Sequence, residues 1–217
     1  MLRFLKVVGF LTILLLALGT LIYIAVPHLR FRTIVVHHSA SAHDNYASIK
    51  GYHKTRGWRD AAYHLILSNG STSVPLGFLE ASSRYRLLSY SPATKSGWCN
   101  LTGLHLCLVG DYDQTRVPQQ LRPPLAHALQ ALQQKFHIRD SQILFHRDCS
   151  PTSCPGRFIA KEDLRAWLDT EADNCPQVIK DQHHRIIDSA SLPLGQLFWQ
   201  SWIAGLERFW GLIKTSN

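Results

Sequence analysis

Several marks of familiar protein classes are missing from this 217-residue chain. It has no internal repeat and no low-complexity segment, so a repeat architecture is excluded. It has no CxxC pair and no HExxH motif, so neither of these zinc signatures is present. It also has no basic run interleaved with aromatic residues, no zinc-finger spacing and no recognisable recognition helix. We therefore expect no nucleic-acid partner.

Charge is missing from one long segment near the N-terminus. From Val7 to Val26 there is no charged residue, and Leu, Ile and Val dominate. A helix of this length spans about 30 Å, the thickness of a bilayer's hydrocarbon core. Arg3 and Lys6 precede the run, and "TLIYIAVPHLR" offers no small-x-small cleavage site. These features predict an uncleaved, single-pass anchor over residues 1–29, rather than a signal peptide or a buried core helix.

The predicted anchor and the charge balance together suggest where the rest of the chain works. With the N-terminus inside, everything after about residue 28 faces the periplasm or another extracytoplasmic space, and the anchor lies in the inner membrane. The formal net charge of +8 and the pI near 9.4 favour an anionic partner. Cell-wall polymer or anionic lipid suits such a location better than nucleic acid does.

Strand-like and helix-like segments alternate after the anchor. The predicted strands are "RTIVVHHSAS", "AAYHLILS", "LHLCLVGDYD" and "SQILFH". The predicted helices are "HDNYASIKGYHKTRGW", a segment that opens at Pro124, and "KEDLRAWLDTEA". Residues 74–100 have weak periodicity and room for one further strand. This order predicts an α/β domain over residues 30–175, with one sheet covered by helices.

The remaining residues, 176–217, are predicted to be a connector followed by an amphipathic helix. Residues 176–193 carry no clear pattern and are interpreted as the connector. One helical face then gathers Phe198, Trp202, Leu206, Phe209 and Ile213. This face either packs on the domain or the anchor, or lies at the membrane interface, and the apolar pattern does not separate the two.

Histidines stand at several predicted strand ends, where α/β domains place their ligands. Because neighbouring side chains of a strand point to opposite faces, His37 and His38 cannot both turn toward one metal, and the same reasoning separates Tyr63 from His64. His146 ends the fourth predicted strand, and Cys154 lies in a turn that can reach the same site. We expect His38 and His64 to be structural and the following to lie at the surface: His43, His53, His127, His183, His184.

A set of two histidines and one cysteine suits zinc. Imidazole and thiolate ligands fill three corners of a tetrahedron and leave the fourth for water or substrate. An open corner is typical of a catalytic ion rather than a structural one. By spacing alone, the set remains a hypothesis.

Four separated motifs carry a resemblance to a known family. "IVVHHSAS", "GWRDAAYHLIL", "LCLVGDYD" and "FHRDCSPTSCPGRF", in that order, resemble the zinc-dependent N-acetylmuramoyl-L-alanine amidases related to peptidoglycan recognition proteins and to bacteriophage lysozyme-type amidases. The resemblance covers roughly residues 31–170. It implies their fold, a single mixed β-sheet flanked by helices. It also implies hydrolysis of the amide bond between N-acetylmuramic acid and L-alanine in peptidoglycan or muropeptides.

Matched position by position, the resemblance assigns roles to five residues. It implies that His37, His146 and Cys154 bind Zn²⁺. It places the active-site tyrosine at Tyr63, and at Thr152 a second polar group that is lysine in some members and threonine in others. No carboxylate is assigned as general base.

Two segments depart from the family pattern. Many members carry a "GAH" segment before the third strand, where this chain has "KSGWCN" with no histidine. The usual Gly-Arg-rich stretch after the second strand is replaced by "LEASSRYRLLSYSPATK". The preferred peptide stem is therefore not predicted, and neither is the oligomeric state. The alternative is a module that binds peptidoglycan or muropeptide without cutting it.

Four cysteines remain once Cys154 is assigned to metal. In an oxidising compartment Cys99, Cys107, Cys149 and Cys175 can form two disulfides, in any of three pairings. Pairing Cys99 with Cys107 would close a short loop, and Cys149 would then pair with Cys175. Alternatively, Cys107 is an ordinary buried strand residue.

Overall fold

The computed structural model describes residues 2–25 and 30–190. Helix α1 (Leu2–Ala25) covers the predicted anchor segment. Across the described stretches, no helix combines the length and the hydropathy that a membrane crossing requires. The membrane anchor over residues 1–29 therefore stays a prediction, and the predicted C-terminal amphipathic helix lies outside the described residues.

The described part of the domain contains a five-stranded sheet. Its strands are β1 (Thr33–His38), β2 (Leu65–Leu67), β3 (Leu79–Ala81), β4 (Gly103–Leu108) and β5 (Ile143–Phe145). The spatial order is β3-β2-β4-β1-β5, and only β3 runs antiparallel to its neighbour. The predicted single mixed sheet is confirmed.

Eight α-helices and three short 3-10 helices accompany the sheet within the described ranges. After α1 they are α2 (Tyr46–Thr55), α3 (Ser83–Arg86), α4 (Gly97–Thr102), α5 (Arg122–Phe136), α6 (His146–Cys149), α7 (Lys161–Thr170) and α8 (Gln177–Asp188). Helix α2 begins with a capping box between Asn45 and Ser48. Just after it, Gly57 adopts a φ of 83°, a left-handed backbone conformation that favours glycine and ends the helix.

The main core lies on one face of the sheet. Because side chains alternate along a strand, Ile34 and Val36 point to this face while Val35 and His37 point to the other. Helix α5, the predicted helix that opens near Pro124, covers the core face with four residues at helical spacing: Leu125, Leu129, Leu132 and Phe136. A smaller apolar cluster beneath α2 occupies the other face, with Ile49, Ile66, Cys107 and Val109. The histidine side of the sheet is thus the face under α2.

The prediction that residues 176–193 form a connector is wrong for most of that range, since α8 occupies Gln177–Asp188. Ile179 and Ile187 are buried, and the Gln182 amide pairs with both backbone groups of Leu79 at 2.9 and 2.7 Å. This hydrogen bonding puts polar side chains on the buried face of the helix, which hid its apolar pattern in the sequence. The folded domain therefore continues past residue 175.

The proposed cysteine pairings are wrong as well. One disulfide joins Cys99 in α4 to Cys149 in α6, while Cys107, Cys154 and Cys175 are free and buried. Cys99 is bonded to Cys149 and is not free to pair with Cys107, whose side chain lies in the cluster beneath α2. The alternative interpretation of Cys107 as a buried strand residue is the one that holds.

Candidate metal centre

Sheet register brings two histidines together. In the parallel pair of β1 and β5, Val36 lies opposite Phe145. His37 and His146 each follow these residues by one position, so the two imidazoles lie side by side at the carboxyl edge of the sheet. Their ring centroids are 4.6 Å apart. The structure thus brings these two predicted ligands together.

The loop after α6 returns Cys154 to the same place. Its Sγ lies 3.8 Å from His37 Nδ1 and accepts a hydrogen bond from the His38 backbone N–H at 3.4 Å. Possible ligand atoms of His37, His146 and Cys154 all lie within 4.8 Å of one another. Tetrahedral zinc, with Zn–N of about 2.0 Å and Zn–S of about 2.3 Å, sets such donors about 3.5 Å apart. The three side chains therefore fit zinc with little movement.

Burial sets the protonation of these groups. Desolvation, and then the neighbouring His105 and His146, hold the pKa of His37 well below its usual value, so its ring is neutral and has a free lone pair. Burial raises the pKa of the Cys154 thiol to about 12. A buried thiol and two imidazoles are donors that a divalent cation satisfies by displacing the thiol proton.

Tyr63 contacts this centre and also lines an open cleft. Its ring centroid is 4.9 Å from that of His37 and 5.5 Å from that of His53. Desolvation, followed by the nearby thiols of Cys107 and Cys154, raises the pKa of Tyr63 well above its usual value. The hydroxyl therefore keeps its proton at neutral pH and can donate a hydrogen bond, with the Cys107 thiol as its present partner.

The cleft beside Tyr63 has a volume of about 460 Å³. Helix α2 supplies one side of it, and the loop after β1 supplies Ser39 and Ser41. The remaining lining residues are Ala40, Asp44, Ile49, Tyr52 and His53. A mixed apolar and polar groove of this kind suits an extended ligand with both hydroxyl and aliphatic groups.

Residues 27–157, which make up 60% of the chain, match the N-acetylmuramoyl-L-alanine amidase family. The chain belongs to this family. The resemblance seen in its motifs is thereby confirmed.

Curated relatives of this amidase-family chain include bacteriophage endolysins. The endolysin of Klebsiella phage KP32 is 28% identical over 124 residues, covering 56% of this chain and 72% of the phage protein. That of Enterobacteria phage T3 is 28% identical over 152 residues, covering 66% of this chain and 89% of the relative.

Solved structures share the fold. The N-acetylmuramoyl-L-alanine amidase LysC from Clostridium intestinale superposes with a TM-score of 0.52 at 21% identity, covering 66% of this chain and 88% of that one. The bumblebee protein PGRP-SA gives 0.52 at 14% identity, covering 64% and 82%. At such identities, these likenesses establish the α/β fold alone.

In this amidase-family chain, Thr152 lies in a bend. Thr152 is exposed, and its Oγ1 accepts a hydrogen bond from the Cys154 backbone N–H at 3.3 Å. This contact helps to hold the ligand loop. A catalytic role for Thr152 stays a prediction.

Three histidines predicted at the surface of this family member are not there. His53 is buried, and its Nδ1 accepts a hydrogen bond from the Ala62 backbone N–H at 2.9 Å. His183 is fully buried, and it contacts the half-buried His127 with 3.0 Å between their Nδ1 atoms. Burial was missed because each imidazole is satisfied by a partner distant in the sequence. In contrast, His38 and His64 are buried and bonded to backbone groups, as expected of structural residues.

His105 is a further residue beside the centre, and its position in the sequence does not indicate this. It lies inside β4, fully buried, with its Nδ1 2.9 Å from His37 Nε2. Attention to strand ends excluded it, since it is three residues from the end of β4. The available signal was the alternation of side chains, which puts His105 and Cys107 on one face of β4.

Proposed function

We propose that the protein hydrolyses the amide bond between N-acetylmuramic acid and L-alanine in peptidoglycan or its muropeptide fragments, and that the reaction depends on zinc. The observation that carries this proposal is the convergence of His37 Nδ1, Cys154 Sγ and the His146 imidazole beside an open cleft. Membership of the amidase family and the similarity to phage endolysins support it.

His37, His146 and Cys154 would hold the ion through three donors. Zinc with three protein ligands keeps a fourth position for water or substrate. When bound, zinc polarises the amide carbonyl and lowers the pKa of a water molecule to about 7, which an unactivated amide requires.

Tyr63 and Thr152 act as the polar side chains of the reaction. Tyr63 keeps its proton and lies against His37, so it donates a hydrogen bond to the amide oxygen as negative charge develops there. We assign Thr152 as the second polar group because it lies on the ligand loop, two residues before Cys154. The Thr152 contact with the Cys154 N–H also keeps this loop in place.

A second candidate function is binding of peptidoglycan without cleavage. It is favoured by the structural likeness to bumblebee PGRP-SA, a protein of the recognition class by its name. The complete set of His37, His146 and Cys154 favours the enzyme instead, since a pure binding module has no need of an open metal site.

We propose that the domain works on the extracytoplasmic side. The disulfide between Cys99 and Cys149 supports this location because such bonds persist mainly in oxidising compartments. Attachment to the inner membrane through residues 1–29 is part of the same proposal, and fractionation of cells expressing the full chain tests it.

A direct assay tests the function. The purified chain should release peptide stems with new L-alanine amino groups from murein, lose this activity with a chelator and regain it with zinc. Cys154→Ser should abolish release, whereas Cys175→Ser, which removes a buried free thiol outside the site, should preserve it. Binding of muropeptide without release of stems in the presence of zinc would establish the binding module.

A further inference from the structure

Imidazole rings form a row on the face of the sheet under α2. His105 on β4 pairs with Val35 on β1, two residues before His37, so the two histidines are diagonal neighbours on one face. The ring centroids of His105 and His37 are 5.1 Å apart, and those of His37 and His146 are 4.6 Å apart. The row thus runs from the interior of the sheet to the candidate metal centre.

Hydrogen bonding along this row has only one consistent direction. His105 Nε2 lies 3.0 Å from the Cys99 carbonyl oxygen, which can only accept, so Nε2 must carry the proton. Both rings are fully buried, which favours the neutral imidazole with a single N–H. His105 Nδ1 is then an acceptor, and His37 Nε2 at 2.9 Å must be the donor. This leaves the lone pair of His37 on Nδ1, the atom that faces Cys154 Sγ at 3.8 Å.

We propose that His105 is a positioning residue that fixes the tautomer and orientation of His37 and so presents Nδ1 to the metal. The inference rests on the proposed zinc site. Metal-bound histidines depend on a partner for their second nitrogen, because that partner selects the tautomer and limits ring rotation. Here the partner is another histidine, whose own tautomer is selected by a backbone carbonyl.

The backbone around the row is shaped to permit these contacts. A Cβ at position 103 would lie 2.5 Å from the Cys99 carbonyl oxygen and 3.2 Å from His105 Nε2, so glycine there leaves room for the bond between them. His64 Nδ1 accepts from the His105 backbone N–H at 3.0 Å, which adds a contact to the strand pairing of β4. Both features hold His105 in the geometry that its hydrogen bonds to Cys99 and His37 need.

The start of the row is also joined covalently to α6, the helix that carries His146. Cys99, whose carbonyl selects the tautomer of His105, forms the disulfide with Cys149. Cys149 ends α6, the short helix that begins with the ligand His146. One cross-link therefore connects Cys99, at the start of the row, to the helix that supplies the proposed ligand His146.

Two substitutions in the full-length chain separate the roles of His105. His105→Leu retains bulk but removes the acceptor, and zinc affinity should fall about 10- to 100-fold in competition with a chromophoric chelator. His105→Asn retains an acceptor oxygen near the position of Nδ1, and it should recover most of that loss. His183→Leu, a substitution of a fully buried histidine outside the site, should leave zinc affinity unchanged.

A second readout needs no substitution. In the zinc-loaded wild-type protein labelled with ¹⁵N-histidine, NMR should find His37 protonated at Nε2 and His105 also protonated at Nε2. Protonation of His37 at Nδ1 would overturn the inference, and this measurement decides the matter if His105→Leu does not fold.

The outcomes distinguish this inference from the function on which it rests. Wild-type protein that fails to bind zinc defeats the metal site itself. If the wild type binds zinc and folded His105→Leu binds it equally tightly, the positioning role is wrong while the metal site stands. Weaker zinc binding by His105→Leu with recovery in His105→Asn supports the positioning role, since a polar replacement would not repair a general packing defect.

Discussion

At the residue scale, Tyr63 is the side chain whose removal should affect chemistry and leave metal binding intact. Tyr63→Phe keeps the ring against His37 but removes the hydroxyl. We expect turnover of muropeptide to fall about 10²- to 10³-fold, because a donor to the developing oxyanion is lost. Zinc affinity should stay within a few-fold of wild type.

Steady-state kinetics beside a zinc titration check this prediction. Tyr90→Phe is the matched control, since Tyr90 lies outside the cleft lining and its hydroxyl contacts only the Asn100 amide among the hydrogen bonds seen, at 3.5 Å. A Tyr63→Phe protein with more than half of the wild-type turnover would remove Tyr63 from the mechanism.

Individual residues differ in how far the sequence predicts them. His37, His146 and Cys154 could be predicted because strand ends and a tight loop put ligand side chains at one edge of a parallel sheet. His105 could not be predicted by that rule, because its role depends on a diagonal neighbour across two strands. The burial of His53 depends on a backbone partner nine residues away, which no local pattern reveals.

At the scale of elements, the disulfide connects α4 and α6, whose cysteines are separated by 50 residues. Replacing both cysteines by serine should lower the free energy of unfolding by about 2–4 kcal/mol, because the unfolded chain regains the entropy of an open loop. Denaturant unfolding of Cys99→Ser/Cys149→Ser under non-reducing conditions measures this change.

The single variant Cys175→Ser is the comparison for the disulfide, because it replaces a thiol that forms no cross-link. Addition of a reductant should move the wild type toward the double variant and leave the double variant unchanged. Equal unfolding midpoints for the oxidised wild type and the double variant would show that the cross-link does not stabilise the domain.

Helices and strands also differ in how far the sequence predicts them. Strands β1 and β4 and helix α5 are predicted well because their apolar periodicity matches their burial. The sequence of α8 does not show a helical apolar pattern, because Gln182 and His183 lie on its buried face and form hydrogen bonds to Leu79 and Gly77. The disulfide pairing depends on how α4 and α6 meet in space, and cysteine spacing carries no information about that.

At the scale of the whole molecule, stability should fall as the pH falls. Burial lowers the pKa of His127 to about 4, and the nearby His184 adds to this effect. Burial also lowers the pKa of His183 to about 4, although its hydrogen bond to the Gly77 carbonyl opposes the shift. In the unfolded chain each histidine has a pKa of about 6.5. The unfolded state therefore binds more protons between about pH 6.5 and 4, so stability is complete above this window and declines through it.

Thermal unfolding at several pH values tests the contribution of the contact between α5 and α8. His183→Gln retains an N–H for the Gly77 carbonyl but does not titrate. Its Tm should therefore fall less steeply than that of the wild type between pH 6.5 and 4. Identical slopes for the two proteins would mean that His183 does not contribute to the acid sensitivity.

The central claim is that two histidines and one cysteine, distant in the sequence, bind one zinc ion. Metal analysis of the purified full-length chain tests it most directly, with Cys154→Ser and Cys175→Ser prepared in parallel. We predict about one equivalent of zinc in the wild type and in Cys175→Ser, and a large loss of zinc in Cys154→Ser. A wild type without stoichiometric zinc after zinc loading, or a Cys154→Ser protein with undiminished zinc, would contradict the account.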